Sequence, residues 1–223
     1  MIPKIFIALD STNPKKIKYI MKESHNSKIK FGYKFGLEFL NSIHGRKFVA
    51  RLKNKITFGD YKIADIPNTC ASTIKAVKDL KLNYITIHIS SGLNALKAAK
   101  KVSGKTKLIG VTILTSLDNK SLGEIGFNKD VRKLVSQQAR LATRAKLDAI
   151  VCSPHEVKIV KRVFKKEIIT PGIRMLGDRK DDQKRTMTPK QAFQNGATSL
   201  VIGRSITSGN IKKNIKKIIN ELK

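Results

Sequence analysis

Apolar and polar positions along this chain fall into blocks rather than a residue-by-residue alternation. Short, nearly continuous apolar runs occupy residues 4–10, 29–34, 56–60, 84–88, 108–113, 149–152, 168–170 and 199–202. Such runs suit strands of a parallel sheet covered on both faces. Between them lie longer stretches with helical spacing. In 129–145, for example, Val131, Leu134, Val135, Ala139 and Ala142 recur on one face. Helices are predicted after Asn13-Pro14, after Gly36 and after Pro67, and over 93–101, 129–145, 154–164, 189–195 and 211–222. Eight strand–helix units in this length predict an α/β fold, a (β/α)8 TIM barrel, with 1–223 as one domain. The alternative, a doubly wound open sheet, calls for a glycine-rich turn after its first strand. The first strand here runs into Asp10-Ser-Thr-Asn-Pro14, which contains no glycine.

Composition narrows the class without changing the fold. The 40% hydrophobic content of the 223 residues fits a globular protein. No apolar run approaches membrane-spanning length, and the amino-terminal run 2–9 lacks the basic leader and cleavage site of a signal peptide. Cys70 and Cys152 stand far apart, which suits a reducing cytoplasm rather than a disulfide framework. The excess of 46 Lys+Arg over 16 Asp+Glu gives a formal charge of +30. That charge fits either an anionic partner or a lysine-loaded solvated surface. The spread of lysines over nearly every predicted helix favours the solvated surface. No aromatic platform for single-stranded nucleic acid is legible either.

The residues most suggestive of chemistry are Asp60-Tyr-Lys62-Ile-Ala-Asp65-Ile-Pro67-Asn-Thr69. Side chains two apart on a strand share a face, so Asp60 and Lys62 are expected to project together, with Asp65 just beyond. A lysine between two carboxylates stays protonated and is poised as a proton donor. A strand-end ion pair with a helix-capping Asp would look the same in sequence. Barrel sites lie at the carboxyl ends of strands, where Asp10, Lys34, Asp60, Lys62, His88, Thr115, Arg174, Gly203 and Arg204 fall. Each also has an ordinary alternative as a turn, cap or solvated side chain. Gly203-Arg204-Ser205 occupies the fold's usual phosphate position, where backbone N–H groups and an arginine can hold an anion. The long connection 171–187 resembles an active-site lid from which Arg174 and Gln183 could reach a phosphate. The four histidines show no metal-ligand spacing. Gly32-Tyr-Lys-Phe-Gly36 is no dinucleotide fingerprint, and no cofactor or metal is expected.

In this order, these segments resemble the orotidine 5′-phosphate decarboxylase family over nearly the full length. The likeness runs through Ile7-Ala-Leu-Asp10, Lys34-Phe-Gly-Leu-Glu-Phe39, the 60–69 decapeptide, Ile87-His88-Ile-Ser-Ser-Gly92 and Val111-Thr-Ile-Leu-Thr115-Ser116. It continues through Val151-Cys-Ser153, Thr170-Pro-Gly-Ile-Arg174, 177–185, Met187-Thr-Pro189 and Val201-Ile-Gly-Arg204. Asp-x-Lys-x-x-Asp alone marks a wider group of barrel enzymes that includes sugar-acid decarboxylases and a hexulose-phosphate synthase. The Ile66-Pro-Asn-Thr69 and Pro171-Gly-Ile-Arg174 segments are more specific.

The resemblance implies cofactor-independent conversion of orotidine 5′-phosphate to uridine 5′-phosphate in pyrimidine biosynthesis. Lys62 would be the proton donor, with Asp60, Lys34 and Asp65 completing the charged array. Asp10 and Lys34 would hold the ribose. Thr115, Arg174, Gln183, Gly203 and Arg204 would hold the phosphate and the pyrimidine edge. Asp65 and Thr69 would reach the neighbouring subunit's site, implying a homodimer. Ala64 stands where the family often has His. The doubled Lys-Phe-Gly leaves Lys30 and Lys34 as competing registers, and Gly36-Leu-Glu-Phe39 favours Lys34. The rival readings are a related metal-dependent barrel enzyme acting on a sugar-acid phosphate and, in a different class, a basic nucleic-acid-binding protein.

Overall fold

The computed structural model describes residues 4–25, 27, 29–175, 177 and 186–222. Eight strands form the sheet: β1 (Ile5–Ala8), β2 (Phe31–Phe35), β3 (Ile56–Ile63), β4 (Tyr84–His88), β5 (Lys107–Val111), β6 (Ala149–Val151), β7 (Glu167–Thr170) and β8 (Ser199–Ile202). Each pairs in parallel with its sequence neighbours, and β1 with β8 closes a barrel. The apolar blocks of the sequence are therefore these strands, to within a residue or two at most ends.

Helices cover the outside. They are α1 (Pro14–His25), α2 (Leu37–Leu40), α3 (Gly45–Ala50), α4 (Pro67–Ala76), α5 (Gly92–Val102) and α6 (Asn119–Glu124). After these come α7 (Val131–Arg144), α8 (Val157–Val163), α9 (Pro189–Gln194), α10 (Arg204–Thr207) and α11 (Ile211–Glu221). Their apolar faces and the outward strand residues make one large core, which includes Phe35, Phe39, Ile85, Leu96, Val135 and Ile150.

A second, inner core fills the barrel. Phe6, Phe58, Tyr84, Ile109, Ala149, Ile169 and Val201 point to its axis. Phe6 meets Phe58 and Tyr84 edge-on, with ring centroids 5.2 Å apart in both pairs, a favoured aromatic geometry. Near the amino ends of the strands, the Tyr84 hydroxyl donates to Glu167 Oε2 at 3.0 Å and Lys107 pairs with Glu167. The lower barrel is thus filled and its one buried carboxylate is partnered. A cavity within the barrel has to lie at the other end.

Four elements differ from the sequence expectation, one of them the short helix α10 between β8 and α11, which the apolar pattern does not announce. The single helix after Gly36 is two, α2 and α3, because the chain turns tightly between them: a Cβ at Gly45 would lie 1.6 Å from the Phe39 carbonyl oxygen. Helix α6, capped by Asp118 accepting from the Ser121 N–H at 2.9 Å, was not foreseen. β3 continues to Ile63 rather than ending at Asp60, and it does so through an irregularity that shapes the site.

Candidate active site

A cavity of about 250 Å³ opens at the carboxyl ends of the strands. Asp10 leaves β1 into it, Lys34 comes from β2, Asp60 and Lys62 from β3, and Thr115 follows β5. Pro171, Gly172 and Arg174 follow β7, and Gly203 and Arg204 follow β8. The lower wall is apolar, made by Ala8, Phe58, Val111, Val151 and Val201. The site is therefore apolar below and charged above.

Asp60 is its hub. Its Oδ2 accepts from Lys62 Nζ at 2.8 Å and from Lys34 Nζ at 3.2 Å, and its Oδ1 accepts from the Thr86 hydroxyl at 3.1 Å. Lys34 also reaches Asp10 Oδ1 at 3.5 Å. The Asp60 and Lys34 side chains are only 11% and 12% exposed, against 34% for Lys62. Burial alone would push the Asp60 carboxyl up, but the charges of Lys34 and Lys62 hold it below the ordinary carboxylate range. Burial alone would likewise lower Lys34, and the carboxylates of Asp60 and Asp10 raise it instead. Both groups are thus charged across the neutral range. The His88 imidazole is pushed down, first by burial and then by the charge of Lys62.

The Asp60–Lys62 juxtaposition comes about differently from the plain pleat the sequence suggests. Gly59 lies opposite Ile85 and Ile63 opposite Ile87, so residues 60, 61 and 62 of β3 face the single residue Thr86 of β4. Lys62 adopts φ = 49°, a left-handed conformation for a non-glycine residue. Its backbone N–H donates to Thr86 Oγ1 at 2.8 Å. A bulge of this kind re-aims a side chain beside a site.

Within one chain, Lys34 and not Lys62 lies between two carboxylates. Asp65 is exposed, outside the cavity, and its Oδ1 accepts the Ile66 N–H at 2.7 Å. The sequence spacing brings it close along the chain, but β3 ends at Ile63 and the backbone leaves the barrel before residue 65. Thr69, on the first turn of α4, is exposed as well and does not line the cavity. Gln183 lies outside the described residues. Of the two competing lysines, Lys34 faces the cavity, and Lys30 is exposed just before the amino end of β2. The two ends of the long connection are clasped together: the Arg174 N–H donates to the Met187 carbonyl at 3.1 Å, and the Met187 N–H to that of Gly172 at 3.2 Å.

Sequence reasoning missed Thr86 and the apolar wall. A β-branched residue inside an apolar strand carries no sign of whether it packs or donates. Among the described residues, no group of three or more His, Cys, Asp and Glu could hold a metal ion. None of the described helices is long and apolar enough to cross a membrane.

The model of the "Orotidine 5'-phosphate decarboxylase / HUMPS family" matches residues 3–218. The chain belongs to this family. The proteins named orotidine 5′-phosphate decarboxylase from Wolbachia sp. subsp. Brugia malayi and from Prochlorococcus marinus are similar to it. The first is 45% identical over 192 residues, covering 83% of this chain and 84% of the relative. The second is 40% identical over 218 residues, covering 92% and 88%. The crystal structure of orotidine 5′-phosphate decarboxylase from Lactobacillus acidophilus superposes with a TM-score of 0.81 at 28% identity, covering 99% of both chains. The family likeness thus spans the barrel from β1 to α11, including every strand that contributes to the cavity.

Proposed function

We propose that the chain decarboxylates orotidine 5′-phosphate to uridine 5′-phosphate, the last step in making that pyrimidine nucleotide, without a cofactor. The observation that carries this reading is the apolar-floored cavity in which one buried carboxylate, Asp60, aligns two ammonium groups, Lys34 and Lys62. The bond from C6 to the carboxylate carbon breaks, CO₂ leaves and the electron pair stays on C6. Lys62 stands as the stabilising charge and gives its proton to C6. Preorganised charge in a water-poor site is generally the largest catalytic contribution. Among the described residues, the cavity lining carries four cations, Lys34, Lys62, Arg174 and Arg204, against two carboxylates, a balance suited to a substrate bearing a phosphate and a carboxylate. In this reading Asp10 and Lys34 hold the ribose. Thr115, Arg174, Gln183, Gly203 and Arg204 hold the phosphate and the ring edge. A second copy of the chain completes the site with Asp65 and Thr69.

The test follows the loss of orotidine 5′-phosphate ultraviolet absorbance with chelator present. Wild-type protein is expected to turn over. Lys62→Ala is expected to lose at least about a thousandfold in kcat, with uridine 5′-phosphate binding largely kept. Wild-type-like turnover by Lys62→Ala contradicts the reading. Activity abolished by the chelator points instead to the metal-dependent sugar-phosphate branch. Tight, salt-sensitive binding of nucleic acid without turnover points to the third class of function.

A further inference from the structure

We propose that Thr86 is a positioning residue for the reaction: its single hydroxyl locks the Lys62 backbone and the Asp60 carboxylate into one rigid unit. The inference rests on Lys62 as the proton donor.

The hydrogen-bond directions at Thr86 are fixed by chemistry. A carboxylate can only accept and an amide N–H can only donate, whereas a threonine hydroxyl has one proton to give and lone pairs to offer. The Thr86 proton must therefore go to Asp60 Oδ1, 3.1 Å away, and its lone pair must take the Lys62 N–H, 2.8 Å away. Thr86 is fully buried, so no water competes for either bond. It stands at the one β4 position that faces the three bulged residues of β3. Left-handed backbone costs a non-glycine residue roughly 1–2 kcal/mol, and at Lys62 the bond to Thr86 helps to offset that cost.

The consequence for the proton donor is direct. Lys62 Nζ hangs from a backbone pinned by Thr86, and it donates to the carboxylate whose other oxygen takes the Thr86 hydroxyl. Backbone and tip are referred to the same atom group. Without it, the ammonium rests on a flexible four-carbon stem rooted in strained backbone, and misplacement by an ångström is enough to slow such chemistry about a hundredfold.

Thr86→Val removes the hydroxyl with little change of shape, and Thr86→Ser restores it. The expected result for Thr86→Val is a kcat lower by about tenfold to a hundredfold, with KM and uridine 5′-phosphate affinity within about threefold of wild type. Thr86→Ser is expected to recover most of kcat. In a crystal structure of Thr86→Val, Lys62 is expected to leave positive φ, or its Nζ to leave Asp60. If the valine variant proves too unstable, Thr86→Cys, with a weak thiol donor, is expected to fall between serine and valine in kcat. Unchanged kcat in Thr86→Val, or no rescue by serine, overturns the proposal. So does a retained Lys62 geometry in the crystal. If Lys62→Ala keeps the wild-type rate, it is the reading of Lys62 that has failed, and the crystal structure alone then decides whether Thr86 positions it.

Discussion

Asp60 keeps its charge although its side chain is only 11% exposed, because two ammonium groups outweigh the cost of its burial. That balance sets a pH dependence whose sign follows from the shifts. A carboxyl held below its unfolded value stabilises the fold above the ordinary carboxylate range, and the contribution is lost as pH falls through its depressed folded value. Lys34, raised in the fold, contributes below the ordinary lysine range and loses that contribution as pH rises through its elevated folded value. Urea unfolding should therefore show this pair's contribution flat across neutral pH and falling at both extremes. Asp60→Ala leaves the buried Lys34 ammonium facing that of Lys62 with no carboxylate between them. It should cost about 3 kcal/mol at pH 7, and a loss below about 0.5 kcal/mol would contradict the pairing. The charged residues of the site were legible because each interrupts an apolar strand at its carboxyl end. The remainder was not. Val111 and Val201 read as core, which they also are, Val151 reads the same although it is only half-buried, and Thr86 reads as a strand former.

The strands and helices were legible because burial on both faces leaves an unbroken apolar run and the covering helices keep a one-sided pattern. The sequence pattern failed where a local contact, not periodicity, decides the structure. The break between α2 and α3 depends on the Phe39 carbonyl lying against Gly45, where any side chain would collide. Gly45→Ala should cost about 1–3 kcal/mol in denaturant midpoint, with the α2–α3 corner displaced. Stability equal to wild type would show that the turn does not rely on this approach. The extension of β3 was hidden for a related reason. Its last residues, Tyr61 to Ile63, stay in the strand through the Lys62 bulge and its bond to β4, and no alternation records a bulge.

At the scale of the molecule, a single chain presents a cavity with Asp60, Lys34 and Lys62 in place and with Asp65 and Thr69 turned outside it. Ile66, between them, is 65% exposed, an apolar residue of the kind an interface covers. The proposed dimer accounts for all three. In the proposed dimer a two-fold pair would place each copy's Asp65 at the other's site, so Lys62→Ala and Asp65→Ala, each expected to be inactive alone, are expected to complement one another. Mixed after unfolding and refolding together, they should regain about a quarter of wild-type activity, because half the dimers are hybrids and each hybrid holds one intact site. No recovery would mean that each chain works by itself. The charge of +30 belongs to this scale too. Most of it lies outside the cavity, on lysines spread over the outer helices, where it acts on solubility and long-range attraction of anions rather than on the fold.

The proposed mechanism turns on a position in space, which a crystal structure of the protein with bound uridine 5′-phosphate measures. The expected result places Lys62 Nζ within about 3.5 Å of C6, still held by Asp60, with the phosphate against Gly203 and Arg204. A Lys62 ammonium turned to solvent, or a nucleotide whose C6 lies on the far side of the cavity from it, would rule out Lys62 as the proton donor.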